Sequence, residues 1–188
     1  MYESDDLNIL DQMIQDSAKV LLTTSYNKNQ VILTETHGVN YQVTIKNIPK
    51  NTLVIDSDRF PAPKDFFQGN HGECKRADYI IVSDEENRKF MIFIEMKAGK
   101  GDNQEIIKQL KGSEALMTYC QKIGQLFWHK SNFLDGYDAR FISLKNINLP
   151  KRTTREKANP QPCDRPENML KIGSPNTLVF NKLIGKLS

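Results

Sequence analysis

Two apolar runs near the middle of this chain constrain its fold more than any other feature. The first is YIIV at residues 79–82 and the second is FMIFI at residues 90–94, with the polar stretch SDEENRK between them. Continuous apolar runs that are rich in β-branched residues are typical of strands covered on both faces. The short polar separation favours an antiparallel hairpin. The sequence therefore predicts a buried sheet that contains this hairpin.

Periodic patterns on either side of the hairpin predict a mixed α/β domain. Apolar residues recur every three or four positions in two stretches, which predicts amphipathic helices over residues 4–21 and 103–124. Short segments rich in β-branched residues predict further strands, at 30–35, 40–46, 52–56, 139–144, 169–172 and 177–183. The fold class expected is α/β, a mixed central β-sheet flanked by these α-helices.

The chain shows no internal repeat and no clear boundary, so we expect its 188 residues to form a single domain, residues 1–188. Within it, residues 4–56 supply the first helix and strands, and about 73–145 form the core. Residues 146–188 supply a basic loop and the last strands.

Composition and the N-terminal sequence favour a cytoplasmic protein that does not contact a membrane. No apolar run approaches the roughly 20 residues needed to span a bilayer, and the opening MYESDD lacks the features of a signal peptide. Cys74, Cys120 and Cys163 are far apart, which argues against a disulfide framework or a zinc site. The net charge of +3 is a weak indication of an anionic partner.

Pairing the two apolar runs brings three charged side chains together. If the turn is centred between residues 86 and 87, Tyr79 lies opposite Ile94 and Asp78 lies opposite Glu95. Lys97 is two residues beyond Glu95 and projects from the same face of its strand. Asp78 shares that face as the cross-strand neighbour. The hairpin is thus predicted to gather two carboxylates and an ammonium at one end.

Two carboxylates that face each other predict a divalent cation. Like charges directly opposite each other destabilise a sheet, and burial beside apolar strands increases the cost. Bound Mg²⁺ or Mn²⁺ would remove both penalties, because hard cations prefer carboxylate and water oxygens. The backbone carbonyl of Met96, between the two strand side chains, is a further candidate ligand. The alternative is an ion pair of Glu95 and Lys97 at a sheet edge, with no catalytic role.

These residues resemble the motifs of the PD-(D/E)xK nuclease superfamily. RAD at residues 76–78 is followed by a strand, a turn and IEMK at residues 94–97, and Ala77 stands where proline is common. The resemblance covers about residues 73–145 and implies a restriction-endonuclease-like core of hairpin, helix and strand. It implies that Asp78 and Glu95 hold the metal ion and that Lys97 positions the attacking water.

The resemblance also implies two further site residues. A helical glutamine often lies near the metal or phosphate, and Gln109 is the candidate. An acidic ligand usually comes from upstream, where Glu73, Glu35 and Asp11 all remain possible. Glu73 is slightly preferred because it lies close to Asp78 in the sequence.

The expected function is therefore Mg²⁺-dependent hydrolysis of nucleic-acid phosphodiesters, and the resemblance favours DNA over RNA. Lys151, Arg152 and Arg155 lie in the densest basic segment, which is a candidate for phosphate binding or for a solubilising loop. Loops, a homodimer partner or another subunit would supply sequence selectivity. The alternative function is a non-catalytic nucleic-acid-binding or protein-interaction module that retains the fold.

Overall fold

The structure, a computed structural model, describes residues 2–35, 40–85, 88–99, 101–146 and 162–185. The helices are α1 (Asp5–Met13), α2 (Asn103–Phe127) and α3 (Phe180–Leu183). The strands are β1 (Thr23–Ser25), β2 (Lys28–Glu35), β3 (Tyr41–Ile48), β4 (Thr52–Asp56), β5 (Tyr79–Glu85), β6 (Arg88–Lys97), β7 (Asp138–Lys145), β8 (Leu170–Gly173) and β9 (Thr177–Val179). None of these helices is long and apolar enough to cross a membrane.

The central sheet is mixed and has the strand order β4-β5-β6-β7-β8. Strand β5 is antiparallel to both of its neighbours, β4 and β6, and β7 and β8 continue the sheet in parallel with β6. Tyr79 pairs with Ile94 and Ile80 with Phe93, which confirms the register predicted for the hairpin. Helix α2 is the crossover between β6 and β7, as a parallel pair requires.

Side-chain alternation gives the central sheet two different faces. Ile80, Phe93 and Phe141 face α1 and α2, and the two phenylalanine rings stack with their centroids 5.0 Å apart. Ile81 and Ile92 point the opposite way, into a second core. Each such fully buried side chain stabilises the fold by about 1.5–3 kcal/mol, so both faces must be covered.

A second sheet, rather than a helix, covers the other face. Its strand order is β1-β2-β3-β9, with β2 and β3 antiparallel and β9 parallel to β3. Buried residues alternate along β2 and β3, so this sheet has a single apolar side, which packs on the central sheet together with α3. The predicted single sheet flanked by helices is therefore correct for one face only.

Two predicted boundaries are wrong for tertiary reasons. Helix α1 begins as expected, with Ser4 as N-cap, but it ends at Met13 and not near residue 21. The chain instead turns to the edge of β4, where the Val20 N–H donates to the Val54 carbonyl at 2.9 Å. The predicted strand at 177–183 is strand only to Val179, because α3 begins at Phe180.

Candidate active site

The structure brings Asp78, Glu95 and Lys97 together on the face of the central sheet that α2 covers. Lys97 Nζ lies 2.5 Å from Glu95 Oε1. The carboxylate of Asp78, one residue before β5, accepts a 2.5 Å hydrogen bond from the Met96 N–H. Glu95 is fully buried and Asp78 nearly so, whereas the Lys97 side chain is 27% exposed. The ammonium is therefore the part of this group that reaches solvent.

The β5–β6 ladder opens at this point because Ala77 is held elsewhere. In the observed register Ala77 would be the next partner of Met96, but its N–H donates to Ser113 Oγ at 2.9 Å and its carbonyl accepts from Ser57 Oγ at 2.5 Å. The Met96 N–H bonds to Asp78 instead. Because the N–H and C=O of one strand residue point the same way, the Met96 carbonyl also faces the Asp78 side. Its role as a ligand stays a prediction.

Two buried oxygens in this region accept no hydrogen bond from the part of the chain that the structure describes, Glu95 Oε2 and Ser143 Oγ. Glu95 Oε1 is instead in an ion pair with Lys97 Nζ at 2.5 Å. Ser143 is the register neighbour of Glu95 on β7. Buried polar atoms without partners are rare in folded proteins, so this concentration indicates a place where a ligand completes the bonding.

Burial holds both carboxyl groups toward their neutral forms. It raises the pKa of Asp78 well above its ordinary value, and the charge of Glu95 raises it further. Burial raises the pKa of Glu95 to about 7, although the nearby Lys97 opposes this shift. Burial alone would lower the pKa of Lys97, but the Glu95 carboxylate outweighs it and the pKa is raised. The two carboxyl groups therefore favour the cationic form of Lys97, and a further bound cation would stabilise their ionised forms.

Helix α2 packs unusually closely on the segment that leads into Asp78. A Cβ at Gly112 would lie 1.7 Å from the Lys75 carbonyl oxygen, so only glycine permits this approach. Gln109, one turn earlier, lines a cleft of about 550 Å³ together with Asp58 and Arg76. The predicted place of Gln109 near metal or phosphate stays a prediction, since its contact is with this cleft.

The three upstream acids left open by the sequence lie in different settings, and the role of each as a metal ligand stays a prediction. Glu73 is exposed and accepts hydrogen bonds from the N–H groups of Gly69 and His71, at 2.9 and 2.8 Å. Backbone hydrogen bonds to its carboxylate, from its own N–H and that of His71, lower the pKa of Glu73. Glu73 thus stabilises its own loop.

Glu35 and Asp11 lie in different settings. Asp11 forms an ion pair with Lys19 at 2.9 Å, on α1. Glu35 is buried at the end of β2, and its negative charge raises the pKa values of Asp78, Glu95 and Lys97. Of the three acids, Glu35 is the one whose charge contributes to the pKa shifts of all three site residues.

Sequence reasoning missed Asp58, which follows β4 in a short 3-10 helix, Ser57–Arg59. Its charge raises the pKa of both Asp78 and Glu95. The Ser57 N–H donates to the Asp78 carbonyl at 2.9 Å, which joins this short helix to the site. The sequence does not indicate that Asp58 lies near Asp78, because their proximity depends on the pairing of β4 with β5.

The residues present fit a divalent cation of the magnesium type. Among the described residues, no group of three or more His, Cys, Asp or Glu lies close enough to hold an ion. Mg²⁺ needs only one or two carboxylates, because it keeps several waters and takes substrate oxygens. Asp78 and Glu95 with the Met96 carbonyl would supply that set, and the unpartnered Glu95 Oε2 is the observation among the described residues that favours it.

The metal-free protein is expected to lose stability as pH rises from about 4.5 to about 7. Glu95 has an unfolded pKa near 4.5 and a folded pKa of about 7, so the folded state retains a proton that the unfolded state releases. Its contribution is fully present below the lower value and is lost as pH passes the upper one, by a few kcal/mol. Urea unfolding across this range measures the effect.

Glu95→Gln should flatten that pH dependence, whereas Glu85→Gln, at the exposed end of β5, should leave it unchanged. An identical pH profile in wild type and Glu95→Gln would contradict the raised pKa.

Three residues named from the sequence lie outside the described residues, Lys151, Arg152 and Arg155 of the basic segment. Their proposed contacts stay predictions.

The sequence matches no protein-family model. No characterised protein is significantly similar to it, and the fold has no significant match among solved structures.

Proposed function

We propose that this protein is a metal-dependent nuclease that hydrolyses nucleic-acid phosphodiester bonds at the group formed by Asp78, Glu95 and Lys97. The observation that carries the proposal is the pair of buried carboxyl groups beside an ammonium, with Glu95 Oε2 lacking a hydrogen-bond donor among the described residues. A site that only stabilised the fold would gain from neutral or apolar side chains here, since burying unsatisfied carboxylates is costly.

We also propose that the central sheet corresponds to a restriction-endonuclease-like core. What supports this is the order of elements: the hairpin β5–β6, then α2, then β7 paired in parallel with β6. The resemblance of RAD and IEMK to the PD-(D/E)xK motifs implies the same order. DNA is proposed ahead of RNA on that resemblance alone.

Each residue has a distinct role in the proposed reaction. Asp78 is oriented by the Met96 N–H, and Glu95 is held in place by full burial in β6. In the metal-free protein the Glu95 carboxylate raises the pKa of Lys97, which favours a cationic side chain. A cationic Lys97 would orient the attacking water and offset charge on the scissile phosphate. Bound Mg²⁺ would lower the pKa of water and stabilise negative charge on the phosphate.

The decisive experiment is a cleavage assay on plasmid and single-stranded substrates with Mg²⁺, Mn²⁺ or EDTA. Wild type is expected to cleave only with metal, and Glu95→Ala is expected to lose activity by about two orders of magnitude or more. Glu85→Ala removes an exposed carboxylate from the far end of the same hairpin and should retain activity. Equal activity in wild type and Glu95→Ala would remove the proposal.

Metal binding has a readout independent of turnover. An ion held by Asp78 and Glu95 should raise the melting temperature of wild type through ligand linkage and should not raise that of Glu95→Ala. Nucleic-acid binding without cleavage, and without any metal effect, would instead support the non-catalytic module.

A further inference from the structure

An exposed pair of aromatic rings lies in the loop that leads to Asp78, residues 60–76, here called the aromatic loop. Phe66 is 85% exposed and Phe67 is 46% exposed. Their rings meet edge to face, with centroids 4.9 Å apart. Burial of a phenylalanine side chain ordinarily stabilises a protein, so two adjacent rings left in water forgo that gain. Contiguous apolar groups on a polar loop mark a binding surface.

The aromatic loop is held in shape by its own hydrogen bonds. The Pro63 carbonyl accepts from the N–H groups of Phe66 and Phe67, at 3.2 and 2.9 Å. The Glu73 carboxylate bonds to two further N–H groups of the loop, and the Arg76 guanidinium donates to the carbonyls of residues 60 and 61. Pre-organisation of this kind lowers the entropic cost of binding.

The aromatic loop also forms one wall of the cleft that Gln109 lines. Phe67 faces this cleft, and Lys64, Lys75 and Arg76 bring three cationic groups to it. Lys75 is paired with Glu105. Arg76 hydrogen-bonds to backbone carbonyls, and the Asp58 carboxylate on the same cleft acts on its charge. Asp58, on the same cleft, follows Ser57, whose N–H donates to the Asp78 carbonyl at 2.9 Å.

We propose that the aromatic loop stacks unpaired bases, so that a single-stranded nucleic acid runs through this cleft toward Asp78. The cleft volume of about 550 Å³ lies in the range of pockets that hold one small ligand. A cleft of this volume can hold a single nucleotide but is too small for a duplex. Stacking on aromatic rings is tolerant of sequence, and cationic grooves follow the backbone, whereas bases inside a duplex are not accessible to such rings unless they are flipped out.

This inference rests on the proposed function for its substrate class, but binding can be measured without cleavage. Fluorescence anisotropy in EDTA would compare labelled strands of about 15 nucleotides: single-stranded DNA, single-stranded RNA and duplex DNA. The variants are Phe66→Ala/Phe67→Ala and, as control, Phe127→Ala. Phe127 is also exposed, at the opposite end of α2 from the cleft. Thermal unfolding would verify that each variant is folded.

Single strands are expected to bind more tightly than the duplex, and the double variant should weaken that binding about tenfold or more. Phe127→Ala should change it less than about twofold. A preference for RNA would indicate contact with the 2′-hydroxyl, and equal affinities would assign binding to features shared by DNA and RNA. Duplex binding as tight as single-strand binding, or an unaffected double variant, would overturn the inference.

The two proposals fail separately. Loop-dependent binding of single strands by a protein that never cleaves would remove the nuclease and keep the stacking loop. If the protein cleaves nucleic acid and the Phe66→Ala/Phe67→Ala variant binds single strands as wild type does, the nuclease proposal would stand and the stacking loop would be removed.

Discussion

Lys97→Met is expected to reduce metal-dependent cleavage by about two orders of magnitude and to lower the stability of the metal-free protein at neutral pH. The loss of rate follows because a positioned cation beside the phosphate contributes about that much. The loss of stability follows because Glu95 is fully buried and Lys97 Nζ is 2.5 Å from it. Removing one partner of a buried ion pair typically costs 3–5 kcal/mol.

The expected cost here is smaller, about 2 kcal/mol, because the Lys97 side chain is 27% exposed and Glu95 can take up a proton. For the same reason the difference between wild type and Lys97→Met should shrink below about pH 5.5, where Glu95 is neutral in both folded proteins. Urea unfolding at the two pH values measures this. Adding Glu95→Gln should recover most of the lost stability, and the double-mutant cycle gives the coupling energy of the pair.

Lys89→Met is the matched control, since Lys89 is also on β6 and pairs with the buried Asp84 at 3.3 Å, in the part of the strand next to the turn. It should cost stability and leave cleavage intact. Full cleavage by Lys97→Met would contradict the catalytic role, and unchanged stability would contradict the importance of the ion pair.

Gly112→Ala is expected to destabilise the protein by about 2 kcal/mol or more, although alanine is the better helix former by about 1 kcal/mol. The new methyl group would lie 1.7 Å from the Lys75 carbonyl oxygen and 2.7 Å from its carbon. Backbone cannot rotate away as a side chain can. Either α2 moves off the sheet or the segment before Asp78 moves, and in both cases the bond from Ala77 to Ser113 is strained.

The same variant should therefore lose activity as well as stability, because residues 75–77 position Asp78. Gly173→Ala is the control: a Cβ there meets nothing within 4 Å, and its stability should change by less than about 0.5 kcal/mol. Thermal unfolding and the cleavage assay, run on both variants, make the comparison. A Gly112→Ala protein as stable and active as wild type would show that the close approach is dispensable.

The hairpin was predictable because its pattern is local. Two apolar runs with a short polar separation permit few registers, and a one-residue slip would reverse every side chain. Tyr79 and Ile94 pair as expected, and the positions of Asp78, Glu95 and Lys97 on one face follow from strand periodicity. Helix α2 was predictable for the same reason, from its apolar stripe.

The second sheet was not predictable, although its strands β2 and β3 were. β2 and β3 have an alternating pattern that demands one covered face, but nothing in the pattern states which surface covers it. The end of the N-terminal helix was also not predictable. Its periodicity continues past Met13, yet the edge of β4 offers Val20 a backbone hydrogen bond, and that contact ends the helical continuation.

The sequence alone determined the mixed α/β class, the β5–β6 register and the three charged residues at the end of this hairpin, because these depend on neighbours along the chain or across one short turn. Only the tertiary structure decided that Glu35 and Asp58 act on the group while Glu73 stabilises its own loop. It also decided that Ser57 and Ser113 draw Ala77 out of the ladder. The reason is distance along the chain: segments far apart in sequence meet there, and their electrostatic and hydrogen-bonding partners exist only once both sheets and α2 have packed.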